Sequence, residues 1–234
     1  NRDKIIDLLL FESTKTEKDE LTSLKAYAGR MKDDQKEIYY LSGDNKEALK
    51  RNPNLEYFKK HDLEVLLLTE PIDVFIVPSI HEYDKKELKS IDKADIDLKQ
   101  DEKPEEKLND DLSKSLISVF KETLGDKVEN VIESKRLVDS PATLVGGKEA
   151  MDSQMEKMMR ALNKEFTGSK KILEINTSHP LIKNLSKLNL GNSTDPLLRE
   201  CILQIYDGAL LLEDNLESPV DFVKRMTEIM DLRL

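Results

Sequence analysis

The end of the chain carries two consecutive segments with apolar side chains at helical spacing, and this pattern restricts the fold more than any other. The first segment begins at Asp195-Pro196, an N-cap residue followed by proline at the first helical position. Its apolar face consists of Leu197, Leu198, Cys201, Ile202, Ile205, Tyr206, Ala209 and Leu210. Leu203, Leu211 and Leu212 lie outside that face, so the apolar surface is wider than one contact requires.

The second segment restarts at Ser218-Pro219, with Ser218 as N-cap and Asp221 as its acidic partner three residues later. Its apolar face consists of Phe222, Val223, Met226, Ile229 and Met230. Because a helical hairpin cannot cover both of its own faces, we predict that it pairs with a second copy to form a four-helix bundle in a homodimer. Packing of both helices on their own domain alone is the alternative.

The first ninety residues alternate helical and strand patterns. The predicted helices cover 5–11, a segment capped by Ser23, 44–51 and 54–61, and the predicted strands cover 37–41 and 63–68. The second strand is a continuous apolar run, which is typical of a strand buried on both faces. The order of these elements predicts a small α/β (αβα-type) layer that contains a parallel strand pair.

A charged stretch separates this layer from the rest of the chain. Seventeen of the 27 residues from 85 to 111 are charged, with apolar positions too sparse for a core. We predict a hinge or a solvated helix here. The predicted domains are therefore 1–99, a connector at 100–111, and a second domain at 112–234.

The second domain is predicted to mix a sheet with helices, which makes the whole chain α+β. A helix over 112–124 should end at Gly125, a favourable C-terminal residue. Strands are predicted at 129–138, 142–145 and 171–176, and a further helix follows Gly146-Gly147. The final helix pair completes this domain.

The helix after Gly146-Gly147 is rich in methionine. Its apolar face consists of Met151, Met155, Met158, Met159 and Leu162, opposite Asp152, Gln154, Glu156, Lys157 and Arg160. Methionine is flexible and polarizable, which suits a surface that binds many different partners. An ordinary core stripe is the alternative. The glycines before it and the polar segment 163–168 after it favour an element flanked by loops.

A second apolar cluster, Val74, Phe75, Ile76 and Val77, lies within residues 72–80. It predicts either a short buried helix or an exposed patch that binds a partner.

Signals for catalysis are poor. The three histidines, His61, His81 and His179, have no metal-ligand spacing to one another or to the single cysteine, and we predict surface or capping roles for them. Cys201 has no adjacent base, and Gly146-Gly147-Lys148 lacks the spacing of a phosphate loop. We therefore predict no catalytic, cofactor-binding or metal-binding residues in this chain.

Charge and cysteine content limit the partners and the compartment. A net charge of −10 argues against nucleic acid, whose phosphates require clustered Lys and Arg. One cysteine permits no internal disulfide and favours a reducing cytoplasm. The apolar runs are shorter than the about 20 residues that span a bilayer, and the N-terminus lacks a signal-peptide pattern. The start at Asn1 without Met predicts a fragment of a longer protein.

Two stretches of the first domain closely resemble signatures of the heat-shock protein 90 chaperones. One comprises Leu24-Lys25-Ala26-Tyr27, Arg30-Met31-Lys32, Gln35-Lys36 and Ile38-Tyr39-Tyr40-Leu41-Ser42-Gly43. The other comprises Asn52-Pro53-Asn54-Leu55-Glu56, Lys59-Lys60 and Glu64-Val65-Leu66-Leu67-Leu68-Thr69-Glu70-Pro71-Ile72-Asp73. The second half is similar to the family's C-terminal domain at Arg136-Leu137-Val138-Asp139-Ser140-Pro141-Ala142, the methionine-rich helix, Glu174-Ile175-Asn176, His179-Pro180-Leu181 and Ala209-Leu210-Leu211.

The resemblance implies that the chain covers the end of the middle domain and the C-terminal dimerisation domain. The family's site for ATP and Mg would lie in an N-terminal domain before Asn1, so this fragment would hold no cofactor and would not be an enzyme, although its parent would be an ATPase. The terminal helices match the family's homodimer interface.

The resemblance also implies client-binding positions. Phe75 and Pro78 match middle-domain client contacts, with proline at 78 departing from the polar residue of bacterial relatives. Met151, Met155, Met158, Met159 and Leu162 match an exposed amphipathic helix. The end at Leu234 lacks the acidic MEEVD tail, so a bacterial form without tetratricopeptide co-chaperone docking is expected. The expected partners are thus a second copy and partly folded proteins, and the expected role is that of a chaperone fragment. A passive dimerisation scaffold with a buried methionine helix is the alternative.

Overall fold

A computed structural model describes residues 2–17, 20–99, 107–163 and 165–231. The chain divides into two compact units. The first contains Asn1–Ile96 and Lys148–Ser169, and the second contains Asp97–Gly147 and Lys170–Leu234. The methionine-rich segment therefore belongs with the first unit, although in sequence it lies within the predicted second domain, 112–234. The predicted boundaries at 99 and 111 stay a prediction, and residues 100–106 of the predicted connector lie outside the described residues.

The first part of the chain forms short helices and strands. The helices are α1 (Arg2–Ile6), α2 (Leu24–Arg30), α3 (Lys46–Lys50), α4 (Glu56–Lys60) and α5 (Asp73–Ile76), with 3₁₀ turns at Pro53–Leu55 and Val77–Ser79. The strands are β1 (Leu10–Ser13), β2 (Thr22–Ser23), β3 (Glu37–Ser42), β4 (Leu66–Leu68), β5 (Glu82–Tyr83) and β6 (Lys86–Ser90). Ser23 caps α2 as predicted, accepting a 3.1 Å hydrogen bond from the Ala26 amide.

The six strands form one sheet in the order β2-β1-β4-β3-β6-β5. The predicted parallel pair is confirmed, because β3 runs parallel to β4 with Tyr40 opposite Leu66 and Leu41 opposite Leu67. Strand β6 is also parallel to β3. Every residue of β4 is buried, in agreement with the continuous apolar run.

Two predictions for this unit are wrong. Leu10 and Phe11, assigned to a first helix, lie in strand β1, where Leu10 is exposed and Phe11 is buried, as the two-residue period of a strand requires. Residues 86–90 form strand β6 instead of a hinge or solvated helix, because Leu88 and Ser90 face the interior between charged neighbours.

The later part of the chain forms longer helices and a small sheet. The helices are α6 (Asp110–Leu124), α7 (Ser153–Leu162), α8 (Pro180–Gly191), α9 (Pro196–Leu212) and α10 (Pro219–Asp231), with a 3₁₀ turn at Gly125–Lys127. The strands are β7 (Asn130–Glu133), β8 (Ala142–Val145) and β9 (Ile172–Ile175). Gly125 ends α6 with a φ of 49°, a positive value that glycine adopts more readily than other residues do.

The three strands of the second unit lie in the order β7-β9-β8, with β9 parallel to β7 and antiparallel to β8. Helices α6, α8 and α9 contribute to the core of this unit. Its fully buried members include Phe120, Leu173, Leu198 and Ile202. The predicted α+β class is confirmed.

Helix α8 was not predicted. It begins at Pro180, and His179 caps it by accepting a 3.1 Å hydrogen bond at Nδ1 from the Leu181 amide. A histidine cap followed by proline is a weak start signal, and this helix inserts Ile182 and Leu185 into the core. The predicted surface or capping role of His179 is confirmed.

Candidate binding surfaces

Helix α9 has two separate apolar faces, which explains the width of its stripe. Leu198, Ile202, Tyr206 and Ala209 point into the core of the second unit, and the first two have 0% exposed surface. In a single copy these residues serve the core, and their assignment to a dimer interface stays a prediction. These four residues enter the core together because residues spaced three or four positions apart lie on the same face of a helix.

The adjacent face of α9 borders an apolar groove of about 460 Å³. Cys201, Ile205 and Leu212 of α9 and Phe222 and Ile229 of α10 line it. Leu197 and Leu210, also predicted at the interface, are half-buried beside these two faces. The predicted interface residues of α9 are thus divided between the core and a surface groove.

Helix α10 contains no buried residue in its described span. Val223, Met226 and Met230 lie along one side of it and are 52%, 39% and 56% exposed. Arg225 joins the two helices at their polar side, contacting Asp207 at 2.5 Å and Glu200 at 3.2 Å. These ion pairs orient α10 while leaving its apolar side uncovered.

A loop on the other side of the groove is fixed by buried polar contacts. Ser140 and Pro141 line the groove, and Asn176 Nδ2 donates to the carbonyl oxygens of Val138 and Ser140 at 3.1 and 3.2 Å. Near the start of this loop, Arg136 forms a 3.0 Å ion pair with Glu174. The Arg136 side chain is 1% exposed, so its charge depends on this carboxylate.

Helix α7 contacts the rest of the first unit through polar side chains. Ser42 Oγ donates to Asp152 at 2.9 Å, and Ser153 Oγ donates to Asp92 at 2.9 Å. In the first hydrogen bond the helix supplies the accepting carboxylate, that of Asp152. In the second it supplies the donating hydroxyl, and the accepting carboxylate of Asp92 follows β6. Asp152 also caps α7 by accepting from the Gln154 amide at 2.9 Å.

Further polar contacts continue along the same side of α7. Gln154 Nε2 and Lys157 Nζ both reach the carboxylate of Asp44, at 3.3 and 3.2 Å. The Lys93 ammonium donates to the Ala150 carbonyl, just before the helix. The contacts of Ser42, Asp44 and Asp92 with α7 were not predicted from the sequence, since their helix partners lie far along the chain.

The Asp152 carboxyl at the start of α7 is affected by its burial and by the nearby carboxylate of Asp92. Burial of Asp152, and then the negative charge of Asp92, raise the pKa of the Asp152 carboxyl. The hydrogen bonds from Ser42 and from backbone amides favour the ionised form and oppose this increase. The helix start therefore carries unfavourable charge repulsion at neutral pH.

Glu156 is the one buried side chain in the described span of α7, although the sequence placed it on the outer polar face. Its carboxylate accepts hydrogen bonds from the amide and hydroxyl of Ser169 and lies 3.8 Å from Arg160. A buried carboxylate is tolerated here because these donors replace water.

The methionines of α7, and Met151 just before it, are partly accessible. Met151 is 41% exposed, Met155, Met158 and Met159 are half-buried, and Leu162 is 78% exposed. The buried side chain of α7 is thus a glutamate, whereas its methionines remain partly accessible, unlike the apolar side of an ordinary surface helix.

The cluster at 72–80 is divided between core and surface. Val74, Val77 and Ile80 are buried, whereas Phe75 is 49% exposed and Pro78 is also exposed. The segment therefore contains a buried apolar side, as one alternative predicted, and exposed apolar residues, as the other predicted. Val74 and Met158 line one cleft of about 320 Å³, so the structure brings the Phe75 helix and the methionine-rich helix to the same face of the first unit.

No cluster of His, Cys, Asp and Glu suited to a metal ion occurs in the described part of the chain. Within the same residues, no helix has the length and apolar content needed to cross a membrane.

The model of the family described as "Hsp90 protein" matches residues 1–234. The chain belongs to the Hsp90 family. Among its relatives, the "Chaperone protein HtpG" of Chlorobium luteolum is 56% identical over 232 residues, and that of Chlorobaculum tepidum is 55% identical over 234 residues; each match covers 99% of this chain. HtpG of Geobacter metallireducens is 39% identical over 236 residues. The chain spans 37% of the length of the first two proteins.

Proposed function

We propose that this chain provides the dimer contact of an Hsp90-family chaperone through α9 and α10. The observation that carries the proposal is the apolar side of α10, where Val223, Met226 and Met230 remain exposed beside the α9–α10 groove. Contiguous apolar surface of this kind is typical of an interface. A second copy is the partner that presents a matching surface under twofold symmetry.

The energy of such a contact is substantial. Burying one large apolar side chain contributes about 1.5–3 kcal/mol before ordering costs. Four helices, two from each copy, would cover the exposed sides that a single hairpin leaves open. In the parent protein, this link would also raise the effective concentration of the remaining domains for one another.

Analytical ultracentrifugation tests the dimer directly. Sedimentation of this chain at micromolar concentration should give the mass of two copies, with dissociation on dilution. A monomer throughout that range would overturn the proposal.

We also propose that α7 and the Phe75–Pro78 surface bind partly folded client proteins. The exposed positions of Phe75, Pro78, Met151 and Leu162 support this role, and so does the partial exposure of Met155, Met158 and Met159. A passive scaffold with the methionines in a core would instead require these thioethers to be buried. Binding of a fluorescently labelled, permanently unfolded protein, followed by anisotropy, tests the proposal.

Catalysis is not part of this proposed role. We expect ATP and Mg²⁺ to bind a part of the parent protein outside this chain. A cytoplasmic location agrees with the single cysteine. The isolated chain should release no phosphate from ATP, and measurable turnover would contradict this part of the proposal.

A further inference from the structure

The cleft between α7 and the first sheet lies at the carboxyl ends of two adjacent parallel strands. Gly43 and Asp44 follow β3, Thr69 and Glu70 follow β4, and residues of α7 close the other side. In α/β sheets, ligands bind in crevices at this edge of the strands. The cleft is therefore placed where the fold supports binding.

The size of the cleft limits what it can hold. Its volume of about 320 Å³ lies at the lower end of the about 300–1,000 Å³ range of ligand pockets. Leu68, Pro71, Val74 and Met158 provide apolar walls. These apolar walls suit an aliphatic side chain of a bound segment, and the volume leaves space for part of that segment's backbone.

The rim of the cleft is acidic. Asp44 and Glu70 supply two carboxylates, whereas Lys157 supplies one ammonium, which lies 3.2 Å from Asp44. The ammonium of Lys157 thus compensates the negative charge of Asp44. The exposed carboxylate of Glu70 supplies the remaining negative charge of the rim. Asp73 lies close by in sequence, and its burial, together with the charge of Glu70, raises the pKa of its carboxyl.

We infer that this cleft binds an aliphatic side chain of a client segment whose neighbouring residue is Lys or Arg. The aliphatic side chain enters the apolar part, and the neighbouring cation meets Glu70 at the rim. Exposed Phe75 and Ile72 flank Val74, so the apolar surface continues beyond the cleft for an extended segment. This inference rests on the proposed client binding and adds a sequence preference to it.

Three labelled peptides that differ at two central positions test the preference. They carry Leu-Lys, Leu-Glu or Ser-Lys in one otherwise identical host sequence, and their affinity for this chain is measured by anisotropy. We expect Leu-Lys to bind up to about fivefold more tightly than Leu-Glu, the range for an exposed ion pair. Ser-Lys should bind at least about tenfold more weakly than Leu-Lys, because the apolar contact is lost.

Two protein variants locate the effect. Glu70→Lys should reverse the order of Leu-Lys and Leu-Glu, while Glu217→Lys makes the same charge change at an exposed residue of the second unit and should leave the order unchanged. Met158→Trp should fill the cleft and weaken Leu-Lys binding, and Ala161→Trp, at an exposed position of the same helix, should not. Circular dichroism confirms that each variant is folded.

The outcomes separate this inference from the proposed function. If an unfolded protein binds but Leu-Lys and Leu-Glu bind equally, or Glu70→Lys leaves their order unchanged, the preference is wrong and client binding stands. If neither the peptides nor an unfolded protein binds, both are wrong. The difference between Leu-Lys and Leu-Glu should diminish in high salt, while the difference between Leu-Lys and Ser-Lys should persist.

Discussion

Ser42, the last residue of strand β3, donates a 2.9 Å hydrogen bond to the carboxylate of Asp152, the N-cap of helix α7. The two residues are 110 positions apart in the chain. Since Ser153 donates in turn to Asp92, the helix start is held both at β3 and at the segment that follows β6. This contact determines where the methionine face is presented.

Replacing Asp152 with Asn should stabilise the first unit at neutral pH. Burial and Asp92 raise the pKa of Asp152, so the folded state binds a proton more tightly than the unfolded state. Stability therefore falls as the pH rises through the folded-state pKa. Asn removes the repulsion, caps helices as well as Asp does, and offers an oxygen to Ser42. We expect a gain of up to about 1 kcal/mol by denaturant unfolding.

The gain from Asp152→Asn should disappear towards about pH 4, near the ordinary pKa of an aspartate, where the carboxyl is protonated in the folded state. Asp126→Asn, at a fully exposed aspartate, is the matched control and should change stability little at either pH. A loss of stability at neutral pH for Asp152→Asn would show that the ionised carboxylate is required.

Glutamate at both Met155 and Met159 should weaken the binding of unfolded protein by about tenfold or more, because two apolar contacts are lost. The melting temperature should change little, since neither side chain is buried. Anisotropy and calorimetry measure the two effects, with Ala161→Glu as control. A large loss of melting temperature with unchanged binding would instead favour a core role for these methionines.

Glutamate at Val223 and Met230 should dissociate the proposed dimer. Placing two charges in an apolar interface should weaken association by at least about a hundredfold, and sedimentation measures the change. Lys224→Glu, on the polar face of α10, is the control and should preserve the dimer. Because both apolar positions are exposed in one chain, the variant should keep its helical content.

Removing the buried charge of Arg136 should strongly destabilise the second unit. Arg136→Leu leaves the Glu174 carboxylate buried without its ion-pair partner, and we expect a loss of about 3–5 kcal/mol. The double variant with Glu174→Leu should recover much of that loss, as a double-mutant cycle in urea would measure. If the second substitution worsened the first, the two charges would not act as a pair.

Elements with local signals were predicted well from the sequence. Asp195 and Ser218 both mark helix starts, and both accept the expected backbone hydrogen bonds, at 2.9 and 3.3 Å. Strand β8 was predicted with the bounds Ala142–Val145 that the structure shows. In each case, the residues that determine the structure are neighbours in sequence.

Elements that depend on distant partners were not predicted. Strand β6 is highly charged, and its strand conformation follows from pairing with β3, where Leu88 lies opposite Ile38. Helical spacing also located the apolar stripe of α9 without showing which part enters the core. The burial of Glu156 was not predicted either, because its hydrogen-bond partner Ser169 lies beyond the helix.

Met151, just before α7, is exposed to the solvent, and the methionines within α7 are partly exposed. Peroxide converts the thioether of methionine to a sulfoxide, which is polar, and methionine sulfoxide reductases reverse the reaction. Met151, with 41% of its surface exposed, would be open to this oxidation, whereas a buried stripe would be shielded. The accessibility of these methionines therefore links the apolar character of this surface to the oxidation state of its surroundings.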